Sequence, residues 1–297
     1  MTAEDHSQSG AGLGASGGAT RRWIIVGGLL LLVVAAGTRL IRLGQLDLWG
    51  DEIYTYIPST DLVPNLLRWE TLENESSSPL PFLEAKVSRK VFGNNAFALR
   101  LPSALHGVLG VLLLYLLVGR FTGRWGTAFA SGLFLAVNPF ALDHGREGRM
   151  YTQWLTAILL VTFMVCEAVR YARDPRNAAQ RELGPPDSMP TGGAKPCPLD
   201  WRWWLLGVTF AYAHACNVLA VFNLLAIGLG LGLIGLITLS RNRRQGWTIL
   251  LGTALATGVY LSSWALTGIA KLMFLGKGGR RSKSLARSAR HPVAAKA

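Results

Sequence analysis

Apolar and polar positions alternate along this chain in long blocks. Seven runs of near-spanning length stand out, at 23–41, 99–118, 125–142, 152–169, 203–215, 218–239 and 247–269. A crossing helix needs about 20 apolar residues, so the pattern predicts an all-α polytopic membrane protein of about seven spans. The fifth run is the short one: its 13 residues rise only about 20 Å against a hydrocarbon core of about 30 Å. Arg21 and Arg22 precede the first run and Arg39 and Arg42 close it. No small-residue cleavage site follows, so the run is expected to stay as an uncleaved span rather than a twin-arginine export signal.

The stretches between the runs differ in kind. Residues 1–20 are Gly, Ala and Ser with scattered polar residues, too poor in apolar side chains to offset the entropy of ordering, and are expected to be a disordered lead. Residues 21–270 then form the transmembrane region. The Pro-rich segment 171–201 reads as a flexible cytoplasmic loop. With the N-terminus inside, thirteen Lys/Arg fall on the cytoplasmic side and nine outside before residue 271, in the direction that positive charge is retained. The first external segment, 42–98, is too long for a structureless loop and is expected to carry short interfacial helices.

Composition agrees with this picture. Half of the residues are hydrophobic and 16% are charged, against about 25% charged in an average soluble domain. The formal charge of +13 would point to nucleic acid in a soluble protein. Here eight of the basic residues lie in 271–297, which holds no acid, and no nucleic-acid partner is expected. The three cysteines, at 166, 197 and 216, form no CxxC pair, which excludes a disulfide scaffold and a Cys-based zinc site.

Polar clusters sit at the ends of runs. Leu48-Trp49-Gly50-Asp51-Glu52 opens the first external segment. An even number of crossings later, Asp143-His144-Gly145-Arg146-Glu147-Gly148-Arg149-Met150-Tyr151 falls on the same side. His214, between the fifth and sixth runs, is the third point. Carboxylates there can act as base or metal ligand, and arginines can pair with phosphate. Each feature also has a plainer reading. Asp51-Glu52 alone is an ordinary solvated turn, and His214 and His106 are ordinary packing histidines. Trp201, Trp203 and Trp204 read as an interfacial anchor, and Gly228, Gly232 and Gly235 as a close-packing stripe.

The order of these blocks is informative. Arg39-Leu40-Ile41-Arg42, Leu48-Trp49-Gly50-Asp51-Glu52, Ser78-Pro79-Leu80, Phe97-Ala98-Leu99-Arg100-Leu101-Pro102, Asn138-Pro139-Phe140 and Arg146-Glu147-Gly148-Arg149-Met150-Tyr151 resemble the N-terminal half of polytopic GT-C glycosyltransferases, the group of protein O-mannosyltransferases and the lipid A aminoarabinose transferase. The resemblance covers about residues 23–240. It implies transfer of a sugar from a polyprenyl-phosphate donor to a lipid, glycan or protein acceptor at the outer face of a bacterial inner membrane, among membrane lipids. It implies Asp51 as general base and Glu52 as an orienting or metal-binding partner. Arg39, Arg42, Arg146 and Arg149 become candidates for the donor phosphate, with Glu147, Tyr151 and His214 in support. No cofactor is certain; a divalent metal on Asp51 and Glu52 is the candidate. The chain departs from the family where Ser77-Ser78-Pro79-Leu80-Pro81 stands for His-Pro-Pro-Leu-Tyr.

Relatives have around a dozen spans, and residues 271–297 have the composition of a disordered tail, so the chain is expected to be a fragment of a larger transferase. The rival is a catalytically silent membrane protein that keeps the fold and binds lipid or partners. In another alternative the run 247–269 does not cross and the basic tail holds anionic headgroups. A transporter ranks last, because nearly all ionisable residues lie at run ends and not at mid-span.

Overall fold

The computed structural model describes residues 13–63, 66, 79–173, 201–217, 220–262 and 265. All elements among them are helices: α1 (Leu13–Leu40), α2 (Gly50–Thr60), α3 (Pro79–Phe92), α4 (Ala96–Thr122), α5 (Trp125–Val137), α6 (Pro139–Arg146), α7 (Tyr151–Arg173), α8 (Trp201–Cys216), α9 (Ala220–Arg241) and α10 (243–262). Helices α2 and α3 occupy the segment 42–98 between the first two apolar runs, where its length led us to expect short helices. Helix α1 begins at Leu13, inside the stretch read as a disordered lead, because adding turns to an existing helix needs no new nucleus. Most of the segment 171–201, Ser77 and the tail 271–297 lie outside the described residues.

Four helices among the described residues are long and apolar enough to cross a membrane: 21–40 of α1, and α4, α7 and α9; the bent pair α5–α6 makes a fifth. The protein is a polytopic helical membrane protein. The short fifth run appears as α8, with 16 residues.

The chain divides into two compact units, Met1–Ile53 with Val87–Phe163 and Tyr54–Lys86 with Met164–Ala297. In the first, α1, α4 and α5 share a core of Leu31, Ala35, Val108, Val111, Tyr115, Ala128 and Ala136. Small residues let the backbones approach, as membrane packing requires. Tyr115 satisfies its hydroxyl by donating to the Ile24 carbonyl at 2.8 Å. Asn95 caps α4, accepting from the Ala98 N–H at 2.8 Å. Thr152 and Thr156 of α7 donate to the Ser103 and His106 carbonyls of α4 at 2.8 and 2.7 Å.

Helix α5 breaks at Asn138-Pro139 with a bend of 57°. Pro139 has no N–H, so the Leu135 carbonyl loses its helical partner. Asn138 restarts the chain as the cap of α6, accepting from the Ala141 N–H at 3.0 Å. Arg39, 1% exposed, supplies the missing donors: Nη2 donates to the Leu135 carbonyl and Nη1 to the Ala136 carbonyl, both at 3.2 Å. A cation at a helix C-terminus also meets the negative end of the helix dipole. The side chain fits because a Cβ at Gly107 would lie 2.6 Å from Arg39 Nε, and one at Gly145 3.0 Å. The Ala136 carbonyl also accepts from the Thr38 hydroxyl at 3.3 Å, so Arg39→Met is expected to destabilise the protein by about 1–3 kcal/mol, for the Leu135 carbonyl left unpaired. Pro139→Ala restores an N–H, so the same substitution should cost at least about 0.5 kcal/mol less in that background. Additive losses in thermal unfolding would show that Arg39 does not act through the break.

In the second unit Lys86 of α3 donates to the carbonyls of Ser59, Thr60 and Asp61 at the end of α2, where a cation complements the last turn. Trp203 is wholly buried, and its ring lies where a Cβ on Gly252 would meet it at 2.2 Å. This corrects the reading of all three tryptophans as an anchor, since only Trp201 and Trp204, three apart on one face, are exposed. The glycine stripe of α9 is corrected as well: Gly235 packs on Leu250, whereas a Cβ on Gly228 or Gly232 would meet nothing within 4 Å.

Candidate active site

The site in the first unit starts from how α2 begins. Trp49 precedes the helix, and Glu52 at its third position reaches back to accept the Trp49 N–H at 3.3 Å. This is the carboxylate half of a capping box, and it explains acids in the first turn. Glu52 is fully buried. Its Oε1 also accepts from Arg100 Nε and from the Gly148 N–H, each at 2.7 Å, and its Oε2 from Arg100 Nη2 at 2.6 Å. Arg100 spends its other hydrogens on the carbonyls of Leu43, Leu46 and Asp47, at 3.1, 2.8 and 2.9 Å. One ion pair thus holds the 43–47 turn, the start of α2 and the 147–150 loop to the head of α4.

Gly148 fits closely there. A Cβ would sit 3.0 Å from Leu99 Cγ and 3.5 Å from Glu52 Oε1, so the Leu99 side chain would have to give by a few tenths of an ångström.

Asp51, one residue earlier and turned away from that pair, lies with Oδ2 3.0 Å from Arg149 Nε; their side chains are 32% and 8% exposed. The approach is an ion pair without hydrogen-bond alignment, and the buried Arg149 Nε and Nη1 make no hydrogen bond among the described residues. The Arg149 carbonyl is fixed by the Ser103 hydroxyl at 2.7 Å. The two polar clusters, nearly a hundred residues apart in sequence, therefore meet. Next to the Glu52–Arg100 pair lies a cavity of about 480 Å³ whose wall includes Arg42, Asp47, Trp49, Asp143, Arg146 and Glu147.

Arg146 donates to the carbonyls of Ile41 and Arg42 at 3.1 and 3.5 Å, tying the end of α6 to the end of α1. Glu147 pairs with His144 Nδ1 at 3.2 Å, and the His144 ring leans on Tyr151 at 4.7 Å between centroids. Arg39 is not brought to this group, its guanidinium being committed to the α5–α6 break. His214 lies in the second unit, on the wall of a separate, mostly apolar cavity of about 640 Å³ with Phe210, Leu224 and Tyr260.

The donor chemistry at Glu52 does not suit a metal. Four N–H groups occupy a carboxylate that has about four lone-pair positions, and among the described residues no three His, Cys, Asp or Glu side chains are grouped so that they could hold a metal ion. Arg100 was missed in the sequence as a functional residue. Its signal was there, a lone arginine within the Phe97–Pro102 block at the head of an apolar run.

Residues 76–177 match the family model of the dolichyl-phosphate-mannose-protein mannosyltransferases. Over 92 residues the chain is 30% identical to "Putative mannosyltransferase YkcB" of Bacillus subtilis (strain 168), a stretch covering 31% of this chain and 13% of that relative. No solved structure matches. The family match contains Arg100, Arg146, Glu147 and Arg149, while Asp51 and Glu52 precede it. By its apolar helices the chain is an integral membrane protein, and over residues 76–177 it is similar to the GT-C mannosyltransferases.

Proposed function

We propose that this chain takes part in glycosyl transfer from a polyprenyl-phosphate-linked sugar to a hydroxyl acceptor, a lipid, glycan or protein, at the outer face of a bacterial inner membrane. The observation that carries the reading is the pairing of Asp51 with Arg149. It puts a partly open carboxylate beside a buried guanidinium with hydrogens to spare. Asp51 takes the proton of the acceptor hydroxyl as that oxygen forms its bond to the anomeric carbon. The bond from the anomeric carbon to the phosphate oxygen breaks, and its electron pair leaves on the lipid phosphate. Arg149 is the residue we assign to that growing charge, because a guanidinium fork can bind two phosphate oxygens. Glu52 holds Asp51 in place without touching substrate. No step through a metal is derived.

Titration of purified protein in detergent with polyprenyl-phosphate mannose tests the assignment. Arg149→Ala should weaken binding about tenfold or more, the scale for losing a hydrogen bond to a charged group. Equal affinity in variant and wild type would return Arg149 to the status of a helix-end charge.

A further inference from the structure

The cavity beside the Glu52–Arg100 pair has features that a phosphate site would not have. Arg100 and Glu52 neutralise one another across 2.6 Å. That leaves Arg42 and Arg146 against Asp47, Asp143 and Glu147 on the same wall, an excess of acid that opposes an anion. The Asp143 carboxylate has no side-chain partner among the described residues and stands exposed. Trp49 is 50% exposed on this wall, and its backbone N–H is tied to Glu52, so the indole is held at the base of α2. A cavity of about 480 Å³ falls within the range of small-molecule sites.

A neutral ring with an apolar C–H face and a rim of hydroxyls fits such a wall. The ring face stacks on the indole, which offers large rigid contact area. The hydroxyls donate to Asp47 and Asp143 and accept from the guanidinium of Arg42. An ordinary interfacial tryptophan would face lipid and carry no ring of carboxylates around it.

We propose that this cavity is a sugar subsite, with a pyranose or furanose ring stacked on Trp49 and held through its hydroxyls by Asp47 and Asp143. The proposal rests on the glycosyl-transfer reading and separates the place of the sugar from that of the phosphate. The ring can belong to the lipid donor or to a saccharide acceptor, and the experiment tells them apart.

The full 297-residue chain in detergent is titrated with polyprenyl phosphate, with polyprenyl-phosphate mannose and polyprenyl-phosphate glucose, and with a set of methyl hexosides and pentosides. If the donor's sugar occupies the cavity, Trp49→Leu weakens a sugar-bearing lipid by about tenfold, the scale of an aromatic contact together with its buried area, and leaves bare polyprenyl phosphate unchanged. If the acceptor's sugar occupies it, the same variant weakens a methyl glycoside and leaves all lipids unchanged. Trp49→Phe, which keeps an aromatic face, retains binding within about threefold in either case. The proposal is overturned if Trp49→Leu binds every probe as wild type does, or if wild type binds no glycoside and does not tell lipids with a sugar from those without. Arg149→Ala acts on lipids with and without sugar alike, so a failure of the phosphate assignment is read separately from a failure of the sugar subsite.

Discussion

Asp51→Asn is expected to leave the protein folded and able to bind a polyprenyl-phosphate sugar while slowing transfer by roughly 10²–10⁴-fold, the range for removing a general base. The substitution is nearly isosteric. It sits in the first turn of α2, where losing a favourable charge–dipole interaction costs under about 1 kcal/mol. Its partner Arg149 keeps its carbonyl anchored by Ser103. The buried guanidinium of Arg149 does lose its ion-pair partner, so some fall in thermal stability is expected, and the loss of turnover is read per folded molecule. Transfer at the wild-type rate by the Asn variant would end the assignment of Asp51 as base.

The adjacent carboxylate should behave in the opposite way. Glu52→Gln removes the charge that compensates Arg100 at a place where the two side chains are 0% and 6% exposed. Breaking one partner of a buried ion pair costs about 3–5 kcal/mol, because the other charge stays buried and uncompensated. The loss should appear as a large fall in thermal stability in detergent, with activity lost in proportion to unfolding. Glu52→Gln combined with Arg100→Met should recover part of it, since a neutral pair leaves no stranded charge. The recovery is partial because the carbonyls of Leu43, Leu46 and Asp47 lose their donor. If Glu52→Gln unfolds at the wild-type temperature, the clamp is not what holds α2 to the 147–150 loop.

The contrast between these neighbours shows where sequence reading stops. Asp51 and Glu52 are equal on paper, two acids in one turn after a glycine, and the motif pointed to both. Their difference arises from which side of α2 faces Arg100, a residue 48 positions later. Arg39 repeats the point. As part of Arg39-Leu40-Ile41-Arg42 it looked like a phosphate ligand, yet the break that needs its hydrogens lies nearly a hundred residues away at Asn138-Pro139.

The sequence by itself determined the helical class and the membrane character. Apolar run length depends only on rise per residue and bilayer thickness. Tertiary structure brought the two polar clusters into contact and set the surroundings of each side chain. It placed Glu52, Arg100 and Gly148 in a structural clamp, paired the partly exposed Asp51 with the buried Arg149, set Trp49 on a polar cavity and put His214 on the wall of a mostly apolar one. Whether a polar side chain is used for folding or left for function depends on which distant carbonyls and carboxylates come within about 3 Å of it, and that distance is a property of packing, not of spacing along the chain.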